Sequence, residues 1–179
     1  PDAEFGIYDV NDSSNRLTIF NGSACGTADT SCTPDANLEI TSIGSSYQFS
    51  SVIAGNSTNF SSADFGYYLD SRQGIFFSQS ALNTDIANAA HENTTDHMIA
   101  FRGDDSLKID INGGTNYSTF STGEFILAWE DLRFPNSDYD YSDMVVLVES
   151  VLPVPEPGTL ALLGLGIAGL GASRRRQKA

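Results

Sequence analysis

Leu107-Lys108-Ile109-Asp110-Ile111-Asn112-Gly113-Gly114 alternates apolar and polar side chains for five residues and then breaks into turn formers. Period-two alternation predicts an extended strand with Leu107, Ile109 and Ile111 buried and Lys108 and Asp110 in water. The Asn-Gly-Gly run that follows favours a chain reversal. The same pattern extends in both directions. Strands are predicted at Glu4–Val10, Arg16–Phe20, Asn37–Ile43, Tyr47–Ile53, Asp64–Leu69, Gly74–Ser78, His97–Phe101, Leu107–Ile111, Glu124–Glu130 and Asp143–Val151. Turn-rich segments such as Asn11–Asn15 and Ala54–Ser57 separate them. Many short strands at even spacing predict an all-β fold, an antiparallel β-sandwich of jelly-roll-like form. Met144–Val148 is continuously apolar, which predicts a central strand covered on both faces. Ala81–Ala90 lacks a helical stripe, and its Asn and Asp residues favour a loop with about one helical turn.

The chain has 179 residues, room for one domain and an appendage, and a formal net charge of −14. The charge is unevenly placed. Without residues 153–179 the body keeps five basic against 22 acidic side chains, a net −17. That field repels phosphate backbones, so no nucleic-acid partner is expected. Eleven Phe and seven Tyr argue against disorder, because acidic disordered chains are poor in aromatics. The sequence begins at Pro1 without an initiator Met, which is read as a form whose secretory signal has been removed.

Composition changes abruptly at Leu152-Pro153-Val154-Pro155-Glu156-Pro157-Gly158, whose prolines predict a stiff, extended linker. An uncharged run, Thr159–Ala172, then precedes Arg174-Arg175-Arg176. As a helix, 14 residues reach only about 21 Å, short of a ~30 Å hydrocarbon core. A membrane helix here needs a thinned bilayer or arginines drawn to the interface. The terminal arginines predict a cytoplasmic C-terminus and an external body.

A Pro155-Glu156-Pro157 signal, a short apolar span and a terminal basic cluster, in that order, closely resemble the PEP-CTERM sorting domain over residues 153–179. The resemblance implies export by the general secretory route and recognition by exosortase, a membrane cysteine protease or transpeptidase, which removes the tail. It implies inner-membrane anchoring before processing, then the cell surface or extracellular matrix of a Gram-negative-type bacterium. The expected organisation is a secreted β-domain over 1–151, a linker over 152–158, a short transmembrane helix over 159–173 and a basic cytoplasmic tail over 174–179. In an exported chain, Cys25 and Cys32 are expected to close one local disulfide, worth about 2–3 kcal/mol in the chain-entropy model. A metal or redox pair competes with it, although the Cys-x₂-Cys spacing is absent.

Phe125-Ile126-Leu127-Ala128-Trp129-Glu130-Asp131-Leu132, followed by Ser137-Asp138-Tyr139-Asp140-Tyr141-Ser142-Asp143, resembles the end of the domain-of-unknown-function family 4114, with looser similarity back to residue 60. That family implies a secreted β-rich domain over 60–151 and no established reaction. Independently, Asp138 and Asp140 lie two apart in a loop predicted to be extended, so their carboxylates converge. Asp143, with Glu130 or Asp131 from the preceding strand, completes an acidic cluster. Clustered carboxylates repel unless protonated or bridged by a cation, and Ca²⁺, with six to eight loosely arranged oxygens, suits them best. The competing reading is that these side chains accept backbone N–H bonds in Asx-turns while Tyr139 and Tyr141 pack. Asp104, Asp105 and Asp110 read as a solvated loop and strand face.

These features predict a non-enzymatic surface or matrix protein whose partners are exosortase, extracellular polysaccharide and neighbouring surface proteins. A carbohydrate-binding module is the alternative, with Trp129, Tyr67, Tyr139 and Tyr141 as stacking platforms. A secreted hydrolase comes third and needs two carboxylates about 5–10 Å apart in a cleft. His91 and His97 lie six apart in turn-forming sequence, the wrong spacing for a zinc helix, and read as solvated loop residues.

Overall fold

In the computed structural model of this chain, which describes residues 3–21, 36–52, 54–84, 96–110 and 117–150, strand β1 (Glu4–Asp9) is buried at every position after Glu4. Its burial follows from its place in a four-stranded antiparallel sheet. β1 lies between β2 (Asp12–Phe20) and β6 (Phe65–Ser71), and β7 (Gly74–Phe77) closes the far side. A second sheet joins β3 (Leu38–Ile43), β4 (Ser46–Ser51) and β5 (Asn56–Phe60) in chain order. The third runs β12-β11-β8, with β8 at Met98–Arg102, β11 at Phe125–Trp129 and β12 at Met144–Val148. A two-stranded ribbon, β9 (Lys108–Ile109) with β10 (Ser118–Thr119), completes the set. The fold is all-β and its strand ladders are antiparallel. Among the described residues a 3₁₀ turn at Ser80–Leu82 stands where one helical turn is predicted.

All three larger sheets feed one core. Phe5, Ile7, Leu17, Ile19, Leu69 and Phe76 come from the first sheet, Phe49 and Phe60 from the second, Leu127 and Trp129 from the third. Phe5 meets Trp129 edge-on at 6.1 Å, and Phe49 lies 4.5 Å from Phe60. Each such ring removes roughly 150–250 Å² from water, so aromatic burial dominates the favourable side of folding.

The other face of the first sheet is sealed by a reciprocal interlock. Register sets Tyr8 opposite Gly66 and Gly6 opposite Tyr68. A Cβ on Gly66 would strike the Tyr8 ring, and one on Gly6 would strike Tyr68, so each glycine leaves the slot its partner fills. Tyr8 donates to Gln79 Oε1 at 2.7 Å, and Tyr68 shares a bond with Thr18 at 3.0 Å. Both phenols are thereby satisfied while their rings are buried.

Four sequence expectations need correction. Asn56–Phe60, whose first two residues read as turn, is a strand, because its ladder with β4 supplies the order that its Asn and Ser residues lack. The pair Ser118–Thr119 is a strand that has no sequence signal of its own. Leu107 is 59% exposed, not buried, and the ladder there covers only Lys108–Ile109. β12 is an edge strand, not a central one, with Val145 60% exposed. β11 holds the central place because it pairs on both sides. The linker, the apolar span 159–173 and the basic tail lie outside the described residues, among which no helix is long and apolar enough to cross a membrane.

Candidate functional site

The loop from Glu130 to Asp143 joins β11 to β12 at one end of the third sheet. Its base is set by Trp129, fully buried in the core. Beyond it the Glu130 N–H donates to the His97 carbonyl at 3.0 Å, and His97 Nδ1 lies 2.9 Å from the Glu130 carbonyl. His97 is therefore not a solvated loop residue. Its ring is buried between Phe76 at 3.9 Å and Phe134 at 4.5 Å, and Tyr139 stacks on Phe134 at 5.0 Å. This four-ring column carries the loop.

The β6–β7 hairpin fixes its outer side. Arg133 Nε donates to the Gln73 carbonyl at 2.7 Å, and Ser71 Oγ donates to the Asp131 carbonyl at 3.1 Å. Gly74, at φ 138°, leaves the space that the Arg133 guanidinium occupies. Tyr139 and Tyr141 have left-handed backbones, with φ of 59° and 52°. Each such residue costs about 1–2 kcal/mol, which the surrounding bonds must offset. These bends, rather than an extended chain, bring Asp138 and Asp140 to the same side.

Glu130 is the pivot. It has no solvent exposure; Oε1 accepts the Leu132 N–H at 3.0 Å and Oε2 accepts the Tyr139 N–H at 3.1 Å. Glu130, Asp131 and Asp143 offer oxygens within 4.8 Å of one another, and Glu130, Asp138 and Asp140 form a second such triad. Burial pushes the Glu130 carboxyl above its ordinary value, against bonds from Ser137 and Leu132, and repulsion from Asp143 and Asp138 adds to the rise. Burial likewise raises Asp131, with the same two neighbours contributing. The loop thus gathers five carboxylates around one buried oxygen pair, a set that favours a proton or a hard cation. Among the described residues only oxygen donors converge, which fits Ca²⁺ or Mg²⁺ better than softer metals.

Carboxylate-to-backbone bonds, one long-range and one a local turn, run through the same loop. Asp143 Oδ2 accepts the Asp131 N–H at 2.8 Å, and Asp140 Oδ1 accepts the Ser142 N–H at 2.8 Å. The five acids predicted from sequence all lie here; what the sequence did not reveal is the His97 column beneath them. Its signal was the apolar Met98-Ile99-Ala100-Phe101 run that makes His97 the lead-in to a strand. The second acidic patch is less passive than predicted. Asp105, at φ 65°, latches Thr122 through its N–H at 2.9 Å and its Oγ1 at 2.7 Å.

Trp129 cannot serve as a stacking platform, because the core encloses it. Tyr67 packs against that core, and burial pushes its phenol up to about 12. Tyr139 is stacked on Phe134, while Tyr141 donates its hydroxyl to the Asp96 carbonyl at 2.9 Å. Cys25, Cys32, His91, Pro155, Glu156, Pro157, Arg174, Arg175 and Arg176 lie outside the described residues.

An all-β domain carrying an acidic loop on its last sheet, then a proline-rich linker and a basic-ended apolar tail, is the build of an exported β-rich protein. The chain belongs to the family described as domain of unknown function 4114, whose model matches residues 43–151. The PEP-CTERM protein-sorting motif matches residues 153–176. This is therefore an exported protein, made as a membrane-anchored precursor and processed by exosortase. The family match opens at the last residue of β3, earlier than the predicted residue 60, and still leaves β1 and β2 ahead of it. No curated protein and no solved structure matches the chain.

Proposed function

We propose that this protein is a non-enzymatic component of the cell surface or extracellular matrix whose β-domain is stiffened by Ca²⁺ in the 130–143 loop. The observation that carries the reading is that buried Glu130 belongs to two acidic triads, one with Asp138 and Asp140 and one with Asp131 and Asp143, each with oxygens within 4.8 Å of one another. A bound Ca²⁺ would supply charge neutralisation to a loop whose acids otherwise repel, and would lock two left-handed tyrosines in place. Glu130, Asp138 and Asp140 would hold it, with Asp131 and Asp143 closing the opposite side. The body is read as a jelly-roll-like sandwich spanning 1–151, delivered by a short transmembrane helix over 159–173. Extracellular polysaccharide and neighbouring surface proteins are its proposed partners beyond exosortase.

Thermal unfolding of the chain with Ca²⁺ and with chelator, repeated on Asp140→Ala, tests the metal. The expected result is a midpoint several degrees higher with calcium, and loss of most of that shift in the variant. Identical midpoints in both conditions would leave the loop as backbone capping alone. Replacing Pro155-Glu156-Pro157 is expected to leave unprocessed, membrane-bound protein in a host with exosortase.

A further inference from the structure

Among the described residues, the outward face of the third sheet is partly open to water. Residues paired directly across antiparallel strands share a face. The ladders of β11 with β8 and β12 therefore set two rows, Ile99–Ala128–Val145 and Phe101–Ile126–Leu147, opposite the core-facing Leu127 and Trp129. All six are apolar; Ile99 is 38%, Phe101 51% and Val145 60% exposed, Ile126 and Leu147 are half-buried, and the small Ala128 lies buried between its larger neighbours. Acids flank the strands at both ends: Asp131 and Asp143 beside the acidic loop, Glu124 and Glu149 at the far end. Contiguous apolar rows in water mark docking surfaces, and acidic ends favour a basic, apolar occupant.

We propose that this face receives the chain's own C-terminal segment, Thr159–Ala172, when that segment is not in a membrane. The chain leaves the face's own edge strand at Val148, and ten residues, 149–158, separate it from the segment. That connection spans at most about 36 Å. In helical form the segment is about 21 Å long, matched to the roughly 17 Å of a five-residue strand. It is uncharged and is followed by Arg174, Arg175, Arg176 and Lys178. β12 runs from the acidic loop towards the linker, so a segment folding back from Val148 delivers those cations to Asp131 and Asp143. The contact requires no metal in the loop. It shelters this uncharged apolar run before membrane insertion, and removal of the tail by processing uncovers the face.

Full-length chain in lipid-free solution, with p-benzoyl-phenylalanine in place of Phe101, is irradiated and its cross-links mapped by mass spectrometry. The same probe at Val52, 55% exposed beside β4, gives the background. Expected are cross-links within one chain to residues 159–172, several-fold above that background. They should fall several-fold when Arg174→Ser, Arg175→Ser and Arg176→Ser are combined. A yield equal to the Val52 control overturns the proposal, as do cross-links that join two copies, which would make the face an interface between copies. An unchanged yield in the arginine variant overturns the charge contact. Emission of the buried Trp129 verifies that each probe-bearing chain is folded.

Discussion

Asp9 and Glu130 are both buried carboxylates at the ends of central strands, 3% and 0% exposed, yet their protons are held in opposite ways. Asp9 Oδ2 accepts the Ser61 N–H at 2.6 Å, and Oδ1 accepts the Asn11 N–H at 2.9 Å and Ser61 Oγ at 3.0 Å. Burial pushes Asp9 up, but these bonds outweigh it and hold the group below its ordinary value. Glu130 also accepts backbone N–H bonds, but burial prevails there and neighbouring acids reinforce it. The number of donors set against the number of nearby like charges separates the two. Asp9 is a finished structural clasp between the β1–β2 turn and β5. Glu130 sits in a site that still gains by taking up positive charge.

The largest test removes the clasp's whole hairpin. Deleting residues 1–21, all of which precede the family match, takes Phe5, Ile7, Leu17 and Ile19 from the core. Each such loss costs about 2–5 kcal/mol against a total stability of about 5–15 kcal/mol. The truncated chain is expected to show no cooperative melt and no near-ultraviolet circular dichroism. A cooperative melt would mean that the chain from residue 22 onward folds without this hairpin.

Asp9→Ala comes next, with an expected loss of about 1.5–3 kcal/mol in denaturant unfolding, because the part-buried N–H groups of Ser61 and Asn11 lose a charged acceptor. An unchanged midpoint would dissolve the contrast with Glu130. Asp143→Asn keeps an oxygen for the Asp131 N–H while removing one charge from the loop. It is expected to raise the midpoint slightly in chelator and to abolish much of the calcium shift. A fall in chelator would show that the charge itself is structural.

The smallest effect is the pH trend. Glu130 and Asp131 have folded values raised above 4.5 and 3.8, so the folded state binds protons more tightly there. Metal-free stability should therefore rise as pH falls through the window just above those values. Asp9 has the opposite sign. Its contribution is present above 3.8 and is lost as pH falls through its lowered folded value. Melting in chelator should accordingly peak on the acid side of neutrality. Calcium should flatten or reverse that rise, since metal favours the ionised carboxylates.

Local pattern carried much of the fold. Glu4–Val10, Tyr47–Ile53 and Glu124–Glu130 read as strands because their apolar residues are dense and their boundaries carry turn formers. Asn56–Phe60 was not legible, since only Phe60 reaches the core and the ladder with β4 does the rest. For the site, the five acids were visible as a cluster in sequence. The depth of Glu130 was not, because it follows from Trp129 anchoring in the core and from a ring column built on Phe76, His97, Phe134 and Tyr139.

By itself the sequence determined the all-β class, the export tail and the acidic character of the 130–143 loop. Each depends on composition and short-range order, which neighbouring residues impose directly. Tertiary structure alone decided which strand is central, which apolar face is left open and which carboxylate is buried. Those outcomes depend on pairing between residues distant in the chain: β1 with β6, β11 with β8, His97 with Glu130. Met144–Val148 shows the limit most plainly, because a run of five apolar residues states that a strand wants cover, and only its position at a sheet edge shows that one side of it is still in water.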